Sequence, residues 1–169
     1  AATFSDSDAG DTLSYSATLS DGTTLPTWLS FDSTSRTFSG TPTNDNVGDL
    51  DIKVTATDSN NTSVSDHFTI TINNTNDAPA VANSVPNQIA TEDLPFNFSF
   101  DASTFNDPDI GDTLSYQAEL LGGAALPAWL NFNSGTRTFS GTPSNEHVGT
   151  ISIVITANDG NGGTITTNF

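Results

Sequence analysis

An all-β chain of two tandem sandwiches is what the sequence predicts, and three observations predict it. The 169 residues are written twice. Shifted by 101 positions, Phe4–Phe68 aligns with Phe105–Phe169 without a gap, and 34 of these 65 positions are identical. A repeat this long is a whole domain, not a solenoid unit of about 20–50 residues. Second, apolar residues alternate with polar ones. Examples are Leu13, Tyr15, Ala17 and Leu19; Leu50, Ile52, Val54 and Ala56; Leu94, Phe96, Phe98 and Phe100. Period two puts one face of a strand inward. Third, turn chemistry separates these runs: Asp21-Gly22, Ser39-Gly-Thr-Pro42, Asn44-Asp-Asn46 and Asp58-Ser-Asn-Asn61. No segment keeps helical spacing over three turns, and the abundant Ser, Thr, Asn, Asp and Gly disfavour helix.

The second copy reads as seven strands. Strand A is expected at about 81–90, B at 94–101, C at 113–120, D at 128–133, E at 137–140 and F at 150–157. Strand G is expected from about residue 165 and to be cut short at Phe169. The first copy begins after its own A and B strands, so the chain reads as an excerpt of a longer one. The domains are placed at 1–77 and 78–169. An open sandwich edge invites strand exchange or edge pairing, a route to a homodimer.

Composition excludes several partners. Three basic residues, Arg36, Lys53 and Arg137, face twenty acidic ones, and the net charge is −17. Nucleic acid would be repelled, as would an anionic membrane surface. No apolar run approaches the roughly 20 residues of a membrane span, so direct insertion is not expected. There is no Cys, so disulfides do not hold the fold.

The acidic residues are concentrated in turns. Following the strands up and down the second copy brings three stretches to one pole: Asn74-Thr-Asn-Asp77, Asp107-Pro-Asp109-Ile-Gly-Asp112 and Asp159. The far pole of the first copy, with Asn44-Asp45-Asn46-Val-Gly-Asp49, is expected to face them across a junction. Carboxylates crowded together repel, and a hard cation with six to eight oxygen ligands resolves this. Calcium suits the site better than magnesium, which demands stricter geometry. An EF-hand is rejected: Asp107-x-Asp109-x-Gly111-Asp112 lacks the fifth and twelfth loop ligands and lies between strands.

Other candidates have plainer readings. Trp28 and Trp129 sit in Leu-Pro-x-Trp-Leu-x-Phe. Either a sugar or the space between two sheets can take such an aromatic, and the apolar neighbours favour the core. His67 and His147 align with Asn168 and Asn46, so neither is general to the module, and both read as surface residues. Lys53 aligns with Val154, which argues against an isopeptide built on it.

Phe-x-Asp-x-Asp-x-Gly-Asp, Thr-Ala-x-Asp before a turn and Asn-Asp-Ala-Pro after the first copy resemble a cadherin repeat. Leu-Pro-x-Trp-Leu-x-Phe followed by Phe-Ser-Gly-Thr-Pro narrows the resemblance to the dystroglycan-type cadherin-like domain of bacterial surface and secreted proteins. It implies two immunoglobulin/cadherin-like Greek-key sandwiches with calcium at the junction. It assigns as ligands Asn76, Asp77, Asp107, Asp109 and Asp159, and in the first copy Asp6, Asp8 and Asp58. Glu92 falls at the other pole, where cadherins also place a Glu. The Leu-Asp-Arg-Glu motif of true cadherins is missing, and Asp45 or Asp49 stands in for it as a geometric hypothesis.

The expected function is a non-enzymatic, extracellular, calcium-stiffened adhesion module, with other cadherin-like domains or a cell-surface glycan as partner. The alternative is a carbohydrate-binding or spacer module of a polysaccharide-degrading enzyme. An enzyme is disfavoured, because the acids lie in duplicated turns with no nucleophile-and-base pair.

Overall fold

The computed structural model describes residues 4–8 and 11–169, and the chain divides into two compact units, 1–74 and 75–169. Each is all-β, with only single-turn 3₁₀ segments besides strands among the described residues.

Unit 1 holds β1 (Ser14–Leu19), β2 (Leu29–Asp32), β3 (Thr37–Gly40), β4 (Gly48–Thr57) and β5 (Ser63–Ile72). β4 lies between β1 and β5, antiparallel to both, while β2 pairs with β3. The alternation sends Ile52 and Ala56 inward, where they are fully shielded, with Leu29 from β2 also buried. Phe31, Phe38 and Phe68 form a ring cluster, with centroids 4.7 Å and 5.6 Å apart along the chain of contacts.

Unit 2 holds β6 (Ala80–Val81), β7 (Phe96–Ser99), β8 (Phe105–Asn106), β9 (Ser115–Leu120), β10 (Leu130–Asn133), β11 (Thr138–Gly141), β12 (Ile153–Asn158) and β13 (Thr164–Asn168). One sheet runs β10-β11-β7 and another β13-β12-β9; β6 pairs with β8. This is the sandwich the periodicity predicts. The inward rows of both sheets and the residues between them form one core: Val85, Phe100, Phe105, Leu130, Phe139, Ile153, Ile155 and Ala157. Phe139 is wholly buried, with Phe132, Phe98 and Phe169 around it.

Strand A is shorter than predicted. Only Ala80–Val81 pairs, with Asn106 and Phe105. Beyond Asn83 the chain runs as a loop through Pro86, which has no N–H to give a ladder, and only Val85 reaches the core. β13 starts at Thr164 and runs the length of β12; Phe169 and Ile153 exchange backbone hydrogen bonds at 3.1 and 3.0 Å.

The repeated Ser-Gly-Thr-Pro has a packing cause. Gly40 and Gly141 lie so close to the carbonyls of Trp28 and Trp129 that a Cβ would overlap the oxygen. No other residue fits there. The Asn44–Asn46 and Asn145–His147 turns also correspond. Asn46 Oδ1 accepts the Thr43 N–H at 2.9 Å, and His147 Nδ1 accepts the Ser144 N–H at 3.0 Å. His147 is thus an acceptor in place of the first copy's amide.

Candidate metal centre

The acidic pole of unit 2 is assembled by strand register. Ala80 faces Asn106, and the same antiparallel register carried outward sets Asp77 opposite Asp109. The Asp77 N–H donates to Asp109 Oδ2 at 2.7 Å. Asp109 in turn donates its N–H to Asp107 Oδ1 at 2.9 Å, and the Asp112 N–H donates to the Asp109 carbonyl at 3.3 Å. This local turn aims three carboxylates at one point. Oxygens of Asp107, Asp109 and Asp112 lie within 4.8 Å of one another.

Asp159 reaches the same end because β12 ends beside the start of β9, with Asn158 facing Ser115. It is 5% exposed, and Asp109 is 3% exposed. Asn76 Nδ2 donates to Asp159 Oδ2 at 3.1 Å. The Asn161 N–H donates to Oδ1 at 2.7 Å, and the Gly163 N–H reaches both oxygens at 3.0 Å. Burial pushes the Asp159 carboxyl up, but donors from Asn76, Asn161, Gly163 and Gly162 outweigh it and hold the group below the ordinary 3.8. A Cβ at Gly163 would strike Asp159 Oδ2 and come within 2.8 Å of Ala78 Cα, so the turn closes only over glycine.

Asn161 joins the two parts. Its Nδ2 donates to Asp112 Oδ2 at 2.8 Å while its N–H holds Asp159. The first copy repeats this clamp: Asn60 donates its N–H to Asp58 at 2.9 Å and its Nδ2 to Asp11 at 3.3 Å. Ser59 Oγ adds a bond to Asp11 at 2.8 Å.

Two buried side-chain atoms lack a hydrogen-bond partner among the described residues, Arg137 Nε and, at this pole, Asp107 Oδ2. A buried carboxylate oxygen left unpaired is costly, and such a group is ordinarily paired or bound to a metal. The chain's basic side chains are engaged elsewhere: Arg36 over the Tyr15 ring, Lys53 beside the Asp21 turn, Arg137 near Asp101. The donors at the pole are all oxygen. Two ligands on opposite sides of a calcium ion at about 2.4 Å stand about 4.8 Å apart, and the three carboxylate oxygens lie within that distance of one another. The residues present therefore fit a hard divalent cation.

The predicted ligands fall into place unevenly. Asn76, Asp77, Asp107, Asp109 and Asp159 come together, Asp77 through its N–H and Asn76 through its amide. Asp112 belongs with them and is absent from the predicted set. It is the last acid of Phe-x-Asp-x-Asp-x-Gly-Asp, so the motif contained it; what aims it is Asn161, nearly fifty residues on. In the first copy the cluster is Asp6, Asp11 and Asp58. Asp11 is the same omission. Asp8 donates its N–H to Asp6 but is exposed and outside the cluster. Asp109, its counterpart, has the Asp77 N–H to hold it.

Asp45 lies in an exposed 3₁₀ turn, and Asp49 accepts from Thr71 Oγ1 across β4 and β5 at 2.7 Å. Glu92 lies in the exposed turn before β7. Trp129 packs against the unit 2 core and edge-on to Phe96 at 6.5 Å, and Trp28 is half-buried. Trp129 is therefore core-associated, as its neighbours predicted.

Among known proteins, residues 1–73 and 78–169 each match a family model described as "Putative Ig domain". Over 158 residues the chain is 33% identical to a serine-rich adhesin for platelets of Staphylococcus aureus, covering 87% of this chain and 6% of that protein. Over 149 residues it is 32% identical to axial budding pattern protein 2 of Saccharomyces cerevisiae, covering 70% of this chain and 17% of that one. The chain thus spans only a small part of both relatives. Among solved structures, the extracellular domain of protocadherin GammaB4 superposes with a TM-score of 0.55 at 13% identity, covering 92% of this chain and 27% of that one. That likeness is one of fold. With nearly all of its length matched, the chain belongs to this Ig-domain family, as two members in tandem.

Proposed function

We propose that this chain is a non-enzymatic, calcium-binding adhesion module of the dystroglycan-type cadherin-like kind, carried by a bacterial surface or secreted protein. The observation that carries the proposal is Asp107 Oδ2, buried without a partner among three clustered carboxylates. Calcium would be held by Asp107, Asp109 and Asp112, with Asp159 beside them and Asn76 and Asp77 fixing the chain's entry. The equivalent set in the first copy is Asp6, Asp11 and Asp58. Asn76 and Asp77 lie at the start of unit 2, so an ion at this pole would also hold the chain where that unit begins.

The adhesin relative supports attachment at a cell surface; the partner in this proposal is another cadherin-like domain or a cell-surface glycan. The core-packed Trp129 and the half-buried Trp28 favour this reading over a carbohydrate-binding module, which would present them as open stacking platforms.

Isothermal titration with calcium chloride tests the proposal. The expected result is saturable binding at about 0.1–1 mM, as in extracellular calcium modules, with magnesium much weaker. The Asp107→Asn chain should lose the stronger site. No calcium-specific heat, and no displacement of terbium luminescence by calcium, would overturn it.

A further inference from the structure

Both arginines of the chain occupy one repeated position, Arg36 and Arg137, whereas Lys53, His67 and His147 have no like counterpart. In unit 2 this arginine lines a small cleft of about 280 Å³ with Leu114, Ser115, Tyr116, Ser134 and Gly135. Five of the six lining residues recur in the first copy as Leu13, Ser14, Tyr15, Ser33 and Arg36. Only Gly135 differs, with Thr34 in its place. An arginine repeated for folding alone would spend its donors on the fold, and Arg137 does not.

The walls of the cleft are fixed. Arg137 has a left-handed backbone (φ 56°), and its carbonyl accepts the Phe100 N–H at 3.2 Å. Asn133 Oδ1 accepts the Thr136 N–H at 3.0 Å, which sets the turn carrying Ser134 and Gly135. The Tyr116 ring is held by Phe100 and Phe105, with centroids 5.4 and 5.7 Å away. None of this gives the guanidinium a partner. Its Nε is buried without a hydrogen bond, no ion pair reaches it among the described residues, and Asp101 acts on it only at longer range. A half-buried charge left unpaired is costly, and one that opens on a cleft calls for an anion. The planar fork of an arginine matches a carboxylate. Beside it stand two hydroxyls: Ser134 is exposed, and Ser115 Oγ donates to the Asn158 carbonyl at 3.2 Å, which leaves its lone pairs to accept.

We infer that this cleft of unit 2 is a binding site for a carboxylated sugar, a single acidic pyranose at the end or branch of a glycan. The carboxylate lies on the terminal nitrogens of Arg137, the ring hydroxyls meet Ser115 and Ser134, and the apolar face of the pyranose rests on Tyr116 and Leu114. Gly135, with no side chain, leaves the entry open. The volume is at the small end for ligand sites, which suits one ring. A net charge of −17 repels a polyanion, so one acid is favoured over a run of them. In the first copy Arg36 lies over the Tyr15 ring at 5.5 Å and Thr34 brings a side chain to the entry, so the second copy carries the site. The inference rests on the adhesion reading above and chooses the glycan as its partner.

The test is a titration of the isotope-labelled 169-residue chain with methyl glucuronide in calcium-free buffer, followed by amide chemical shifts. The expected result is saturable shifts at Ser115, Tyr116, Gly135 and Arg137. Neutral methyl glucoside should bind at least about tenfold more weakly, because the charge-assisted pair is lost. Arg137→Gln should remove the saturable shifts. So should Gly135→Thr, which copies the first copy's residue and leaves the Arg137 and Asp101 charges in place. Absence of saturable shifts, equal binding of the glucoside, or unchanged binding in either variant overturns the inference. So does equal binding of acetate, which would make the site indifferent to the sugar, or of the peptide Gly-Asp-Gly, which would make the partner a protein. Calcium added afterwards reports separately at Asp109 and Asp159, so a failure of the sugar site and a failure of the calcium reading are told apart.

Discussion

Replacing Gly141 with alanine tests how the repeated Ser-Gly-Thr-Pro closes the sandwich. The added Cβ would overlap the Trp129 oxygen and sit 2.9 Å from its carbonyl carbon and 3.2 Å from Leu130 Cα. All three are backbone atoms, so no rotamer change relieves the clash. The β10–β11 corner must move, and Leu130 and Phe139 in the core move with it. Overpacking of this kind costs about 3 kcal/mol, the upper part of its usual range. In a unit of this size that lowers the melting temperature by about 12–24 °C. Gly135, six residues away, is the control: its nearest neighbour is the Asn133 side chain at 3.6 Å, an ordinary contact. Gly135→Ala should change stability by no more than about 0.5 kcal/mol. Urea unfolding followed by Trp129 fluorescence, in a Trp28→Phe background, measures both variants. Equal effects of the two substitutions, or a Gly141→Ala cost below about 1 kcal/mol, would refute the reasoning.

The same unfolding assay checks other parts of the account. Phe139→Ala should destabilise unit 2 by about 3–5 kcal/mol, and Phe38→Ala should cost unit 1 less because its ring is only half-buried. Asp101 is held below 3.8 by the Ser103 N–H and hydroxyl, each 2.7 Å away, with a smaller contribution from Arg137. A carboxyl lowered on folding stabilises the fold above its unfolded pKa and loses that contribution as pH falls through the folded value. The stability gap between the parent chain and Asp101→Asn should therefore be full at pH 7 and close below about pH 3.8; a gap that widens in acid would contradict this. Asp107→Asn should raise the melting temperature in EDTA, by removing the charge from a carboxyl group whose buried Oδ2 has no partner, and abolish the rise that calcium gives the parent chain.

Much of the fold was legible because the chain repeats itself: a strand suggested once by alternation was suggested again 101 residues later. Strand A was misjudged because Val81 and Val85 look like one run, while Pro86 and the polar residues between them leave only two residues paired. At the acidic pole, Asp107, Asp109 and Asp159 were visible because short motifs carry them. Asp112 and Asp11 were passed over because their orientation depends on the distant side chains of Asn161 and Asn60. No spacing rule sees an amide spanning two turns. Asn46 and His147 align, but their shared role was hidden for a related reason, since the two look unlike as residues and yet present an amide or ring acceptor to the corresponding backbone N–H.

The central claim is that the acidic pole is completed by calcium. Melting curves in EDTA, in 5 mM calcium and in 5 mM magnesium test it most directly. Binding at 100 times the dissociation constant adds about 2.7 kcal/mol, and at about ten times roughly half of that. The account predicts a calcium-specific rise in melting temperature of several degrees. Identical curves in EDTA and calcium, or an equal rise with magnesium, would contradict it.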